Sequence, residues 1–171
     1  MRLIFYRLEV TMSDDTTTHG LDDLDLAILR VLQADADTSV AELARSLNLS
    51  PPATHQRVRR LKQRGYIRQT VALLDHTLLG HDLMCFVHIN MLAHHRDRLD
   101  VFSAAVRDLP EVLECHHVTG EHDFLLKVIS PNRKALERLL VEKLSVIPGV
   151  GRIQTSVVLS EVKATTAIPL E

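Results

Sequence analysis

Residues 39–65 constrain the fold more tightly than any other stretch, because start and stop signals for two successive short helices crowd into them. Ser39 with Glu42 three residues on forms a capping box, in which hydroxyl and carboxylate each take one otherwise orphaned N–H. Val40, Leu43, Ala44 and Leu47 then share one face. Asn48 and Leu49 make the turn. Ser50 caps the second helix, and Pro51 takes its first position, where a missing N–H costs nothing. Gly65 ends it as a left-handed cap. Two helices this short need a third to pack on. Leu24, Ala27, Ile28 and Val31 supply it at i, i+3, i+4, i+7 over 23–33, with Asp22, Asp23 and Asp25 at the positive end of its dipole.

At 100° per residue, Thr54, Val58 and Leu61 fall in one narrow stripe of the second helix and are expected in the core. Pro52, Gln56, Arg59, Arg60 and Gln63 lie opposite, with His55 on the flank. No acid occurs between Glu42 and Asp75, while Arg45, Arg57, Arg59, Arg60, Lys62, Arg64 and Arg68 do, although the whole chain has a formal net charge of -2. A merely solvated helix alternates signs; a one-sign stripe is the footprint of a polyanion-binding surface. In a helix-turn-helix the second helix enters the major groove and its N-terminal part meets base edges. His55, Gln56 and Arg59 are therefore the candidate base readers, since Gln pairs with adenine and Arg with guanine through two hydrogen bonds, about 1–3 kcal/mol of discrimination per good pair. Arg57, Arg60, Lys62, Arg64 and Arg68 suit phosphates. Ser50, Pro52 and Thr54 at the helix start complete the DNA-contacting set, Thr54 although it also belongs to the core stripe.

The rhythm changes after the second helix. Residues 66–73 read as a strand or extended connector and 74–82 as a linker. Strand 83–91, helix 96–109, strand 112–118, turn 119–123 and strand 124–129 follow. A helix opened by Ser130 and Pro131 carries Ala135, Leu136, Leu139, Leu140 and Leu144 until Pro148 and Gly149 stop it. A last strand, 152–162, puts Ile153, Thr155, Val157 and Leu159 on one face. The order β-α-β-β-α-β is that of a ferredoxin-like sandwich with two helices on one face of the sheet. The expected class is α+β: a winged-type helix-turn-helix domain with its linker over 21–82, then a ferredoxin-like domain over 83–171. The sheet's other face has no cover in this chain, and a second copy is the simplest one, so a dimer is expected.

Composition adds exclusions. Hydrophobic residues at 46% and charged ones at 25% are globular values, not those of a disordered chain. No apolar run approaches the roughly 20 residues of a membrane helix. Residues 1–10 are too short and too broken by charge for a secretory signal. Residues 1–20 are expected to form a mobile N-terminal extension, polar over 12–20, and Met12 is an alternative start. Cys85 and Cys115 lack metal-type spacing and are expected as free thiols in a reducing cytosol. His94-His95 and His116-His117 with His122 invite a metal, but neighbours on a strand point to opposite faces, so no metal site is expected.

Four segments carry a family resemblance: Leu-Asp-Asp-Leu-Asp-Leu-Ala-Ile-Leu at 21–29; Leu49-Ser-Pro-Pro with Arg57-Val-Arg-Arg-Leu-Lys-Gln-Arg-Gly-Tyr-Ile67; Glu114-Cys-His-His-Val-Thr-Gly-Glu-His-Asp-Phe-Leu-Leu-Lys-Val128; and Ile147-Pro-Gly-Val150. Over about 21–163 the chain resembles the Lrp/AsnC, or feast/famine, family of transcription regulators, closer to the leucine-responsive branch. The resemblance implies that the second half senses an effector and oligomerises, with dimers assembling further, often to octamers, around double-stranded DNA. It implies small molecules, usually amino acids, bound between dimers beside a Gly-x-x-Asp turn, here Gly120-Glu121-His122-Asp123, with Thr119 alongside. A glycine turn offers backbone N–H groups to a carboxylate, and Asp123 is placed to accept from an α-ammonium; the plainer role for Asp123 is to cap the turn. His117 and Ser156 depart from the leucine-responsive pattern, which has an apolar residue and an aromatic there; if they line the cleft, it is more polar.

The expected protein is thus a cytoplasmic, nucleoid-associated regulator with no cofactor and no catalytic residues, whose assembly an effector shifts. Two alternatives stand beside it: an enzyme like the siroheme decarboxylases, which are similar in fold and for which the histidines would serve acid–base or propionate-binding work, and a packer that coats DNA without sequence choice.

Overall fold

The capping signals produce three helices, α1 (Asp23–Ala34), α2 (Val40–Ser46) and α3 (Pro51–Gln63). The structure, a computed structural model, describes residues 20–92 and 96–170. The expectations for residues 1–19, including the Met12 start, and for His94 and His95 lie outside the described residues. Asp22 caps α1 by accepting from the Asp25 amide at 2.8 Å. In the capping box, Ser39 N donates to Glu42 Oε2 at 3.0 Å and Glu42 N to Ser39 Oγ at 3.2 Å. Asn48, at φ 52°, makes the left-handed turn between α2 and α3, a conformation Asn tolerates better than most residues. Ser50 caps α3 through the Ala53 amide, and Gly65, at φ 80°, closes it.

Ile28, Leu43 and Leu61 form the buried centre of this unit, with Leu29, Leu32, Leu47, Val58 and Tyr66 around them. The buried stripe of α1 differs from the expected one: Leu24 and Ala27 are half-buried, while Asp25 and Leu26 join Ile28 inside. Asp25 is drawn in by two arginines, described below. Residues 66–73 form no strand: 66 and 67 bend and 68–73 run on as a connector without regular structure.

A second unit carries β1 (Leu83–Met91), α4 (Arg96–Arg107), β2 (Val112–His117), β3 (Phe124–Ser130), α5 (Arg133–Arg138) and β4 (Val150–Val157), with α5 running on into a π-helical stretch at Leu139–Leu144. Sheet order is β2-β3-β1-β4, all neighbours antiparallel, as the ferredoxin-like reading requires. Strict alternation buries Cys85, Val87, Ile89 and Met91 on β1 and Phe124, Leu126 and Val128 on β3 against Phe102, Val106, Leu136, Leu139 and Leu144. Residues of the other parity, Phe86, His88 and Asn90 among them, form the opposite sheet face, partly or fully open to solvent.

The last strand ends five residues before its expected limit at Val162: β4 stops at Val157, and Leu159 is 97% exposed. Its pairing partner runs out, since Val157 already pairs with Cys85 and Val158 N donates to Met84 O near the start of β1. The described residues fall into two compact units, 20–71 with 165–170, and 72–92 with 96–164. The compact units thus part at 71/72, ahead of the stretch 74–82 read as a linker.

Candidate nucleic-acid interface and effector region

An acid that composition alone would place in water organises the recognition helix. The Asp25 side chain is 1% exposed; its Oδ1 lies 2.8 Å from Arg57 Nη1 and its Oδ2 2.7 Å from Arg60 Nη2. Asp22 adds a second bond to Arg57 Nη1, at 2.6 Å. The Arg57 guanidinium, followed by the Asp25 amide at the cap, holds the Asp22 carboxyl below its ordinary range, and the two carboxylates raise Arg57 in return. A buried carboxylate is tolerated only when paired and hydrogen-bonded, and here two guanidinium groups meet that need. The network bolts α3 to the N-terminus of α1.

Several of the side chains expected at DNA have partners within the chain. Thr54 is fully buried, its hydroxyl donating to Ser50 O at 3.1 Å, so it belongs to the core stripe and not to the DNA-facing set. Arg57 is an intramolecular cation, and Arg60 is shared between Asp25 and solvent, its side chain 47% exposed. Arg64 donates to Gly20 O at 3.1 Å and stacks 5.3 Å from the Tyr66 ring centre. Ser50 spends its hydroxyl on the α3 cap. Pro52, His55, Gln56, Arg59, Lys62 and Arg68 are exposed. The sequence reading missed Asp25, although its position held a signal: Asp25 is in register with Ile28, Leu29 and Leu32 at i+3, i+4 and i+7, where an apolar residue is expected.

In the second unit the 119–123 turn is built around Gly120 at φ 119°, a backbone that L side chains rarely adopt. Val118 N donates to Asp123 O and Asp123 N to Ile89 O, both at 2.9 Å. Asp123 Oδ2 accepts from Met91 N at 2.7 Å, so one carboxylate oxygen holds the turn to β1. Asn90 Nδ2 donates to Glu121 O at 2.6 Å, and Asn90 Oδ1 lies 2.9 Å from His122 Nδ1. The His88 and His122 rings are 4.6 Å apart. Thus Glu121, His122 and Asp123 gather with His88 and Asn90, two residues the sequence reading did not single out although alternation along β1 puts both on the open face.

His117 and Ser156 do not join that cluster. His117 stacks on buried Phe124, ring centres 4.8 Å apart, on the helix-covered side. There it lines a cleft of about 440 Å³ with Ser103, Val106, Arg107 and Cys115. His116, next to it, hydrogen-bonds Glu114 at 3.0 Å and sits opposite Leu125 on the other face. Ser156 pairs with Phe86, whereas Asn90, which holds the turn, pairs with Arg152. Four residues of strand, roughly 13 Å, separate the two levels. Within one protomer, then, the expected effector residues fall on two faces of the sheet and at two heights along it.

Family models match both units. Residues 21–68 match a winged helix-turn-helix DNA-binding model, and residues 84–168 match the Lrp/AsnC ligand binding domain. The chain is 40% identical over 151 residues to the leucine-responsive regulatory protein of Salmonella typhimurium, covering 88% of this chain and 92% of that one. The Escherichia coli protein of the same name is 39% identical over the same shares. Among solved structures, a transcriptional regulator from Neisseria meningitidis in complex with L-Met superposes with a TM-score of 0.83 at 35% identity, over 87% of this chain and 96% of that one. Escherichia coli AsnC gives a TM-score of 0.80 at 32% identity, over 87% and 99%.

Proposed function

Because this chain belongs to the Lrp/AsnC family of DNA-binding transcription regulators, we propose that it reads specific sites in double-stranded DNA through α3, as an oligomer whose assembly an amino acid alters. The observation that carries the reading is the outer face of α3, basic and exposed on a helix with no acid of its own. His55, Gln56 and Arg59 meet base edges in the major groove; Lys62 and Arg68, with the exposed part of Arg60, meet phosphates. Asp25 sets the angle of α3 and takes Arg57 out of the contact list.

The amino-acid effector engages the 119–123 turn, where a glycine with open space around it leaves main-chain N–H groups approachable. The L-Met complex of the similar Neisseria regulator supports a ligand of this class. With one Asp123 oxygen committed to Met91, carboxylate recognition by the turn's main chain is the stronger half of the interaction. Dimers form through the open sheet face, where Phe86 and Leu125 call for a cover, and higher assemblies bring heads to several half-sites. The effector acts by binding one assembly better than another, the only way a ligand moves an equilibrium.

The test is binding to the protein's own upstream DNA against a scrambled fragment, with and without a panel of amino acids. Tighter binding to the upstream fragment that one amino acid changes is the expected result. Equal binding to both fragments makes the protein a packer, and an upstream preference that no amino acid moves rejects the effector class.

A further inference from the structure

Residues 165–170 end far in sequence from α1 yet belong to the same unit as the DNA-binding helices. The Gln33 side chain holds the main chain of Ile168 from both sides: Nε2 donates to Ile168 O and Oε1 accepts from Ile168 N, each at 3.1 Å. One turn earlier on the same face of α1, Arg30 Nη2 donates to Leu170 O at 2.7 Å. Thr165 Oγ accepts from Ala167 N at 3.1 Å, setting the bend that enters this segment. An amide side chain that engages both polar groups of one residue imitates the edge of a strand; it recognises extended main chain rather than any particular side chain. Ile168 is accordingly 65% exposed.

We propose that residues 165–170 are a docking tail: the outer face of α1 is a receptor for an extended segment, and the chain's own C-terminus fills it, tying the DNA-binding unit to the sensing domain a second time. The chain passes between the two units at 71/72 and again at 164/165. A head on a single linker samples every orientation the linker allows, whereas a second connection closes a loop and removes much of that freedom. The second connection is also the shorter one. Residues 158–164 lead from the end of β4 to the docked segment and reach at most about 25 Å fully extended. While the tail is docked, the end of β4 and the docked segment can separate no further than that reach. The three side-chain bonds are solvent-exposed, so the tail is releasable, as a coupling element must be.

The consequence for DNA rests on the reading of this protein as an oligomeric DNA binder; the docking itself does not, and the experiment separates them. Hydrogen exchange is followed at the Ile168 amide in the full chain and in Gln33→Leu, with a chain ending at Ala164 as the tail-free form. The Ile168 amide is expected to exchange at least 5-fold faster in Gln33→Leu while the α1 interior amides keep their rates. An unchanged Ile168 rate overturns the docking. Both forms are then titrated with DNA carrying two half-sites at their natural spacing and with five base pairs inserted, which turns one site to the opposite side of the duplex. The full chain is expected to lose at least 10-fold more affinity on insertion than the tail-free chain does. Equal losses overturn the tether. A full chain that binds neither DNA refutes the DNA-binding reading, while the exchange result still decides the docking.

Discussion

Replacing Asp25 by Asn keeps the shape of the side chain and removes its charge. Asp25 gives one oxygen to Arg57 and the other to Arg60; Asn has one acceptor, and its NH₂ group must face a guanidinium that can only donate. Breaking a fully buried ion pair by neutralising one partner costs about 3–5 kcal/mol, because a stranded charge stays inside. Here the partners are not fully buried: the Arg57 side chain is 24% exposed and that of Arg60 47%. Both regain water partly, which brings the expected loss to about 2–3 kcal/mol, between the buried figure and the ~0.2–1 kcal/mol of an exposed pair. For a unit this small, that lowers its melting midpoint by roughly 10–20 °C. Calorimetry of the full chain, with helical circular dichroism to identify the transition of the DNA-binding unit, measures it. The arginines released also change the chemistry of α3. Below the melting range the variant is expected to bind DNA with a steeper salt dependence, by roughly 0.9 in log–log slope for each phosphate newly contacted. A midpoint within 2 °C of wild type, with an unchanged salt slope, refutes the view that Asp25 bolts α3 in place.

Lys62→Ala is expected to weaken binding to specific and scrambled DNA alike and to reduce the salt slope by about 0.9, as a phosphate contact does; titration at several salt concentrations reads it, and a sequence-selective loss would contradict the assignment. Gly120→Val forces a β-branched residue to φ 119°, at about 1–3 kcal/mol of strain, so the variant should lose its amino-acid response in the fragment-binding assay while DNA affinity without effector stays within 3-fold. Acid stability follows from Asp22, whose pKa is depressed in the folded state, chiefly by Arg57. Its contribution is fully present above the ordinary Asp pKa of about 4 and is lost as pH falls through the lower folded value. Asp22→Asn should thus lower the melting midpoint at pH 7 and flatten its fall below pH 4, and a parallel fall in both proteins would show that the pair does not contribute.

Much of this architecture was readable because each signal was local. Ser39 with Glu42, Ser50 with Pro51, and Gly65 each act within a few residues, and period-two alternation along 83–91 and 124–130 left little choice about which face was buried. The failures were non-local. Arg57 and Arg60 looked like surface cations since nothing near them in sequence said that Asp25, more than thirty residues away, would take both. The extent of β4 depended on where β1 begins, not on the alternating Val158, Ser160 and Val162 beyond Val157. Effector residues were the least legible: His117 and His122 are five apart in sequence, yet a tight turn sends one to the helix side and the other to the open face. The Gln33–Ile168 pairing left no trace in either segment's composition.

The central claim is that the exposed face of α3 reads bases, and selection of bound sequences from a randomised DNA pool, by wild type and by Gln56→Ala, tests it most directly. The account predicts a defined wild-type motif that persists in the variant except at one base position, which loses its preference by about 1–3 kcal/mol in relative affinity. An identical motif from both proteins, or no motif from either, would contradict it.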